Sequence, residues 1–103
     1  MVGPLPDAVV GRIIRMSADR LRSCYEEGRR KNPSLMGRVE TAFVIDVSGN
    51  IVSSKDWART DLQDRGVVAC VTRELGRLSF PPPEGAAVTV ISLLSFSPPE
   101  GAP

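Results

Sequence analysis

At 103 residues and a formal net charge of +1, the chain suits one domain with a single small core, and no overall field draws it to nucleic acid or to an acidic membrane. No apolar run approaches the roughly 20 residues that a membrane span needs. The absence of histidine removes any His-based triad, His general base or His-containing metal site.

The charge is unevenly spread. Residues 1–38 hold eight Lys or Arg against four acids, and the remainder holds five against eight. The excess lies at Arg12, Arg15, Arg20, Arg22, Arg29, Arg30 and Lys31. Asp19, Glu26 and Glu27 are interleaved, and Tyr25 is the one aromatic in the run. That pattern reads as a solvated helix face and not as a nucleic-acid stripe.

Residues 1–6, rich in Pro and Gly, read as a loose linker. They show no charged stretch followed by an apolar block, as a signal peptide would. The chain reads as a domain cut from a longer protein whose anchor and targeting signals lie elsewhere. Asp7 is a candidate N-cap. Val10, Ile13, Ile14, Ser17, Leu21, Cys24, Tyr25 and Gly28 then recur at helical spacing. Asn32-Pro33 ends the pattern, because the residue before proline leaves the α region. A first helix is expected over 7–31.

The period then changes to two. Val39, Thr41, Phe43, Ile45 and Val47 alternate with Glu40, Ala42, Val44 and Asp46, which predicts a strand with one strongly apolar face. Ser48-Gly49-Asn50 is a turn signal, and Ile51 to Trp57 forms the returning strand of an antiparallel hairpin. Thr60 or Asp61 is the candidate cap of a second helix, with Val67, Val68, Val71, Leu75 and Leu78 as its apolar positions. Phe80-Pro81-Pro82-Pro83 terminates it. The last strand is expected over residues 87–96, including Val88, Thr89, Val90, Ile91, Ser92, Leu93, Leu94, Ser95 and Phe96, apolar on both faces and free of charge and proline. The domain is thus expected over 7–97, with a loose tail over 98–103. Its order, α-β-β-α-β, predicts an α+β fold with two helices on one face of a three-stranded antiparallel sheet.

Cys24 and Cys70 fall one in each predicted helix. They are either a disulfide between helices packed side by side or two buried thiols acting as small hydrophobes. A disulfide would point to an oxidising compartment. Two cysteines this far apart match no zinc pattern. The pairs Asp61/Asp64 and Glu26/Glu27 are better explained by a helix start and a solvated helix face than by acid–base work. Gly85 follows prolines and leads into a strand, unlike a phosphate loop. No catalytic, cofactor or metal site is expected, and the chain is expected not to be an enzyme. Trp57 is expected in the core or at its rim.

Several segments carry a family resemblance. Cys24-Tyr25-Glu26 is followed by Asn32-Pro33-Ser34-Leu35-Met36-Gly37-Arg38-Val39, Phe43-Val44-Ile45-Asp46 and Ser48-Gly49-Asn50-Ile51-Val52. Cys70-Val71 comes next, then Phe80-Pro81-Pro82-Pro83-Glu84-Gly85 before Leu94-Ser95-Phe96. Over residues 9–97 this resembles the C-terminal domain of the myxobacterial AgmX/PglI gliding-motility family, a variant of the TonB C-terminal domain. Trp57 maps to no family role. The resemblance implies a periplasmic domain of an inner-membrane-anchored protein that grips an extended segment of an outer-membrane or periplasmic partner. The partner would add a strand, and the rest of the chain would engage a proton-driven motor. Residues 88–96 would then be the receiving edge. Two other roles fit the same pattern: an energy transducer for outer-membrane nutrient uptake, and an oligomerisation module whose edge strand pairs with its own copy as a homodimer. If the helices cover one sheet face, Ile91 and Leu93 would help form an exposed apolar patch on the other.

Overall fold

The computed structural model describes residues 5–99. Its elements run α1 (Asp7–Met16), α2 (Ala18–Lys31), β1 (Gly37–Ile45), β2 (Ile51–Asp56), α3 (Arg65–Leu75) and β3 (Val88–Phe96). The strands form one antiparallel sheet in the order β2-β1-β3. The fold is α+β, as the alternation of periods predicts, with one helix more than expected. Among the described residues, no helix is long and apolar enough to cross a membrane.

The extra helix arises because the expected helix over 7–31 is broken at Ser17. Ser17 leaves helical geometry at φ −97°, ψ 7°. Its N–H donates to the Ile14 carbonyl at 3.0 Å and its hydroxyl reaches back to Ile13 O at 3.5 Å. A serine bonding its own preceding turn competes with the helix ladder. The apolar spacing continues across the break, so the pattern alone shows one helix.

Two expected caps are also corrected. Pro6 holds the α1 cap position, and Asp7 is the first helical residue, placing its charge at the positive helix end. The α3 cap is Asp64, whose carboxylate accepts from Val67 N–H at 3.1 Å. Thr60 and Asp61 are used elsewhere: the Thr60 hydroxyl binds the Glu40 backbone, and Asp61 binds Arg38.

The inner face of β1 presents Val39, Thr41, Phe43 and Ile45, all fully buried. Val39 packs with Leu21, Tyr25, Val67, Val71 and Leu75 beneath α2 and α3. Phe43 and Ile45 pack with Phe80, Val88 and Val90 beneath α1. Leu5, which the sequence pattern leaves in a loose linker, is buried in this second cluster. Residues 1–4 and 100–103 of the expected flexible ends lie outside the described residues. The close approach of α2 to α3 depends on Gly28, where an added Cβ would stand 2.5 Å from Val67 and 2.7 Å from Leu35. The Tyr25 hydroxyl, buried in the same layer, donates to the Leu35 carbonyl.

The hairpin is as expected in order but shorter. β1 ends at Ile45, and Val47 is exposed beyond it. Val44 pairs with Ser53 and Ile45 with Ile51, so Val52 is the extra residue of a β-bulge. Trp57 is 47% exposed, which corrects its expected place in the core or at its rim. It stands opposite Glu40, whose carbonyl accepts its N–H at 2.9 Å.

Candidate functional site

The direction of each backbone group in β3 follows from what β1 gives to β2. Arg38 O accepts from Asp61 and Leu62, Glu40 O from Trp57, and Asp46 N–H donates to Asn50. The even-numbered residues of β1 therefore face β2, and by alternation the odd-numbered ones face β3. Register matches Val39, Thr41, Phe43 and Ile45 with Leu94, Ser92, Val90 and Val88. These β3 residues, with Phe96, turn their N–H and C=O groups inward to the ladder. Thr89, Ile91, Leu93 and Ser95 turn theirs to the open edge. Among the described residues, no turn, loop or cap hydrogen bond reaches that edge.

β2 is the other edge, and it is blunted in the ways natural edges are. It has six residues, carries Lys55 and Asp56, and is bent by the bulge at Val52. β3 has nine residues with no charge, proline or bulge.

Beside the second half of β3 runs a groove of about 270 Å³. Its floor is Ile14, Leu21, Tyr25, Leu94 and Phe96, and Arg15 and Arg22 stand on its rim. The Tyr25 and Phe96 rings meet at 5.3 Å, tying the end of β3 to α2. Burial pushes the Tyr25 phenol above its ordinary value against the opposing charge of Arg29. Sequence patterning does not show this groove. The only trace is the spacing of Arg15, Ala18 and Arg22, which continues one helical face across the break at Ser17.

The sheet face away from the helices carries the expected apolar patch. Ile91 is 46% and Leu93 36% exposed, with Val52 and Trp57 also exposed. Glu40 lies buried between Leu93 and Trp57 by register. Arg59 donates to its carboxylate from the backbone N–H and from Nε, each at 2.8 Å. Burial pushes the Glu40 carboxyl up, but the Arg59 hydrogen bonds and charge outweigh it and hold the group below its ordinary value. Hydrogen bonds from the Arg38 backbone and side chain likewise hold Asp61 down, against a smaller effect of burial.

Cys24 and Cys70 are joined in a disulfide. It links α2 to α3, and neither cysteine lines the groove beside β3. A larger open cleft of about 1080 Å³ lies between β2 and α3. Its polar groups are largely used internally: Asp61 by Arg38, Asp64 as the α3 cap, and Arg77 by Glu74. Among the described residues, no cluster of three or more His, Cys, Asp or Glu side chains is placed to hold a metal ion.

No protein-family model matches the chain, and no solved structure matches it. Over 82 residues, 80% of this chain, it is 30% identical to a protein of Myxococcus xanthus (strain DK1622) named tyrosine-protein kinase MasK. The chain spans 12% of that relative's length. It is therefore similar to a short stretch of a much longer myxobacterial protein.

Proposed function

We propose that this chain is a non-catalytic periplasmic interaction domain that binds an extended segment of a partner by strand addition at β3. The observation that carries this is the contrast between the two sheet edges: β2 is short, charged and bulged, while β3 is long, uncharged and bordered by an apolar groove. In strand addition the main chain supplies affinity and alternate side chains supply selectivity. The Cys24–Cys70 bond supports an oxidising compartment. The myxobacterial relative and the AgmX/PglI-like residue pattern together support a place in a TonB-like, inner-membrane-anchored protein. Such a protein would couple a proton-driven motor to gliding motility through an outer-membrane or periplasmic partner.

The test begins with selection of binders from a random peptide display library, followed by amide spectra of the labelled domain. Bound peptides should first perturb the amides of Thr89, Ile91, Leu93 and Ser95, and Ile91→Pro should abolish their binding. Binders that act elsewhere, or that survive Ile91→Pro in a folded protein, overturn the edge. Thiol trapping in rapidly quenched cells checks the compartment, since a reduced pair would remove the periplasm. Introduced into the parent protein, Ile91→Pro should impair gliding and leave nutrient uptake intact.

One observation favours a second reading. The edge-facing residues Thr89, Ile91, Leu93 and Ser95 read hydroxyl, apolar, apolar, hydroxyl in either direction. Two copies can therefore pair antiparallel about Ser92 with like against like. Sedimentation without peptide decides between them: a dimer lost on Ile91→Pro supports self-pairing, and a monomer supports a foreign segment.

A further inference from the structure

We propose that the segment received by β3 is acidic, carrying Asp or Glu beside an apolar anchor, and that Arg15 and Arg22 select it. This rests on the strand-addition reading above and adds the chemistry of the partner. A strand paired with the outer edge of β3 places its residues opposite Leu94 and Phe96 on the helix side of the sheet. They therefore enter the groove floored by Tyr25 and Leu21. An apolar side chain fits that floor. The rim offers two guanidinium groups, and among the described residues no acidic one lines the groove.

What distinguishes the groove is that two arginines share its rim with no carboxylate among its described lining residues, whereas the cleft beside α3 mixes arginines with Asp56, Asp61 and Asp64. Arg29, Arg30, Arg38, Arg59 and Arg77 each pair with a carboxylate of the chain. Arg15 and Arg22, like Arg12, Arg20, Arg65 and Arg73, form no such pair among the described residues, and both are exposed, so their charge is available at the groove. They stand on either side of the α1–α2 break, at the ends of one helical face. Charge of one sign at the rim of an apolar trough selects partners of the opposite sign and speeds their encounter. A lysine-bearing segment would be repelled at the same place.

The experiment uses three fluorescein-labelled ten-residue peptides of alternating threonine and valine. Each has one central phenylalanine flanked by glutamate, glutamine or lysine. Binding is followed by fluorescence anisotropy at low and at physiological salt. The glutamate peptide should bind the domain about five- to tenfold more tightly than the glutamine peptide at low salt, the scale expected of two rim charge pairs. The lysine peptide should bind more weakly still. The advantage should shrink as salt rises, and the double variant Arg15→Gln/Arg22→Gln should erase it while keeping the affinity for the glutamine peptide. Equal binding of all three peptides, still abolished by Ile91→Pro, overturns the acidic selection and leaves strand addition standing. A glutamate preference that persists in the double variant also overturns it. Binding of none of the three by a folded domain overturns both proposals.

Discussion

Cys24 and Cys70 join α2 to α3 with their Cα atoms 5.6 Å apart and a sequence separation of 46. Closing a loop of that length lowers the entropy of the unfolded chain, a contribution of about 4 kcal/mol in the chain-entropy account. For a domain of this size that is a large share of net stability. Cys24→Ser should lower the melting temperature under oxidising conditions, losing roughly 2–4 kcal/mol. In reductant the variant and the wild type should melt close together. Calorimetry with and without reductant checks this, and an equal gap in both conditions would assign the cysteine to packing alone.

The direction of the β3 backbone groups makes neighbouring prolines behave differently. Ile91 turns its N–H to solvent, so Ile91→Pro should fold with a modest loss. Ser92 turns its N–H to Thr41, and Ser92→Pro should cost at least about 2 kcal/mol more, because it removes a ladder bond and leaves a buried carbonyl unpaired. Urea titration of the two variants checks the assignment. Equal losses would mean that the edge parity is reversed.

The Gly49 turn allows a third test. Gly49 has φ +90°, and an added Cβ would stand 1.9 Å from the Phe80 carbonyl oxygen. The same approach lets Phe80 N–H donate to Gly49 O at 2.9 Å. Gly49→Ala should therefore cost roughly 1–3 kcal/mol through backbone strain alone, with further loss from the clash. A urea midpoint equal to wild type would contradict the packing of the turn on Phe80.

Acid should weaken the fold through Glu40 and Asp61. Both carboxyls are held below their ordinary values of 4.5 and 3.8 in the folded state. A depressed folded value contributes stability that is fully present above the ordinary value and is lost as pH falls through the folded one. Stability should thus hold near neutrality and decline once pH drops below about 4.5. Glu40→Gln should be less stable at pH 7 and should show a flatter decline below pH 4.5. Denaturant titration at stepped pH reads both. An unchanged slope in the variant would remove Glu40 from the acid response.

Much of this architecture is legible in the residues themselves. The hairpin shows because Val39 to Ile45 alternate up to a Ser-Gly-Asn turn, and the last strand because Val88 to Phe96 lacks charge and proline. What stays hidden depends on partners distant in sequence. Thr60, Asp61 and Asp64 are all good cap formers, and only the bonds from Glu40 and Arg38 to the first two leave the third to cap α3. The break at Ser17 leaves the apolar spacing intact and so leaves no periodic trace. The groove is less visible still, because it exists only where Arg15 and Arg22 meet Leu94 and Phe96, more than 70 residues along the chain. Trp57 misleads for a related reason. Tryptophan is commonly buried, yet its register opposite Glu40 sets it on the face that the helices do not cover.

β1 and β3 run antiparallel through every position from Gly37–Phe96 to Ile45–Val88. A pull directed along β3 is therefore met by the whole ladder at once, in shear. A pull directed away from the sheet would meet one bond after another and peel the strand off. A segment docked on Thr89, Ile91, Leu93 and Ser95 inherits the same anisotropy. Such a joint holds against tension along its length and releases when pried from one end.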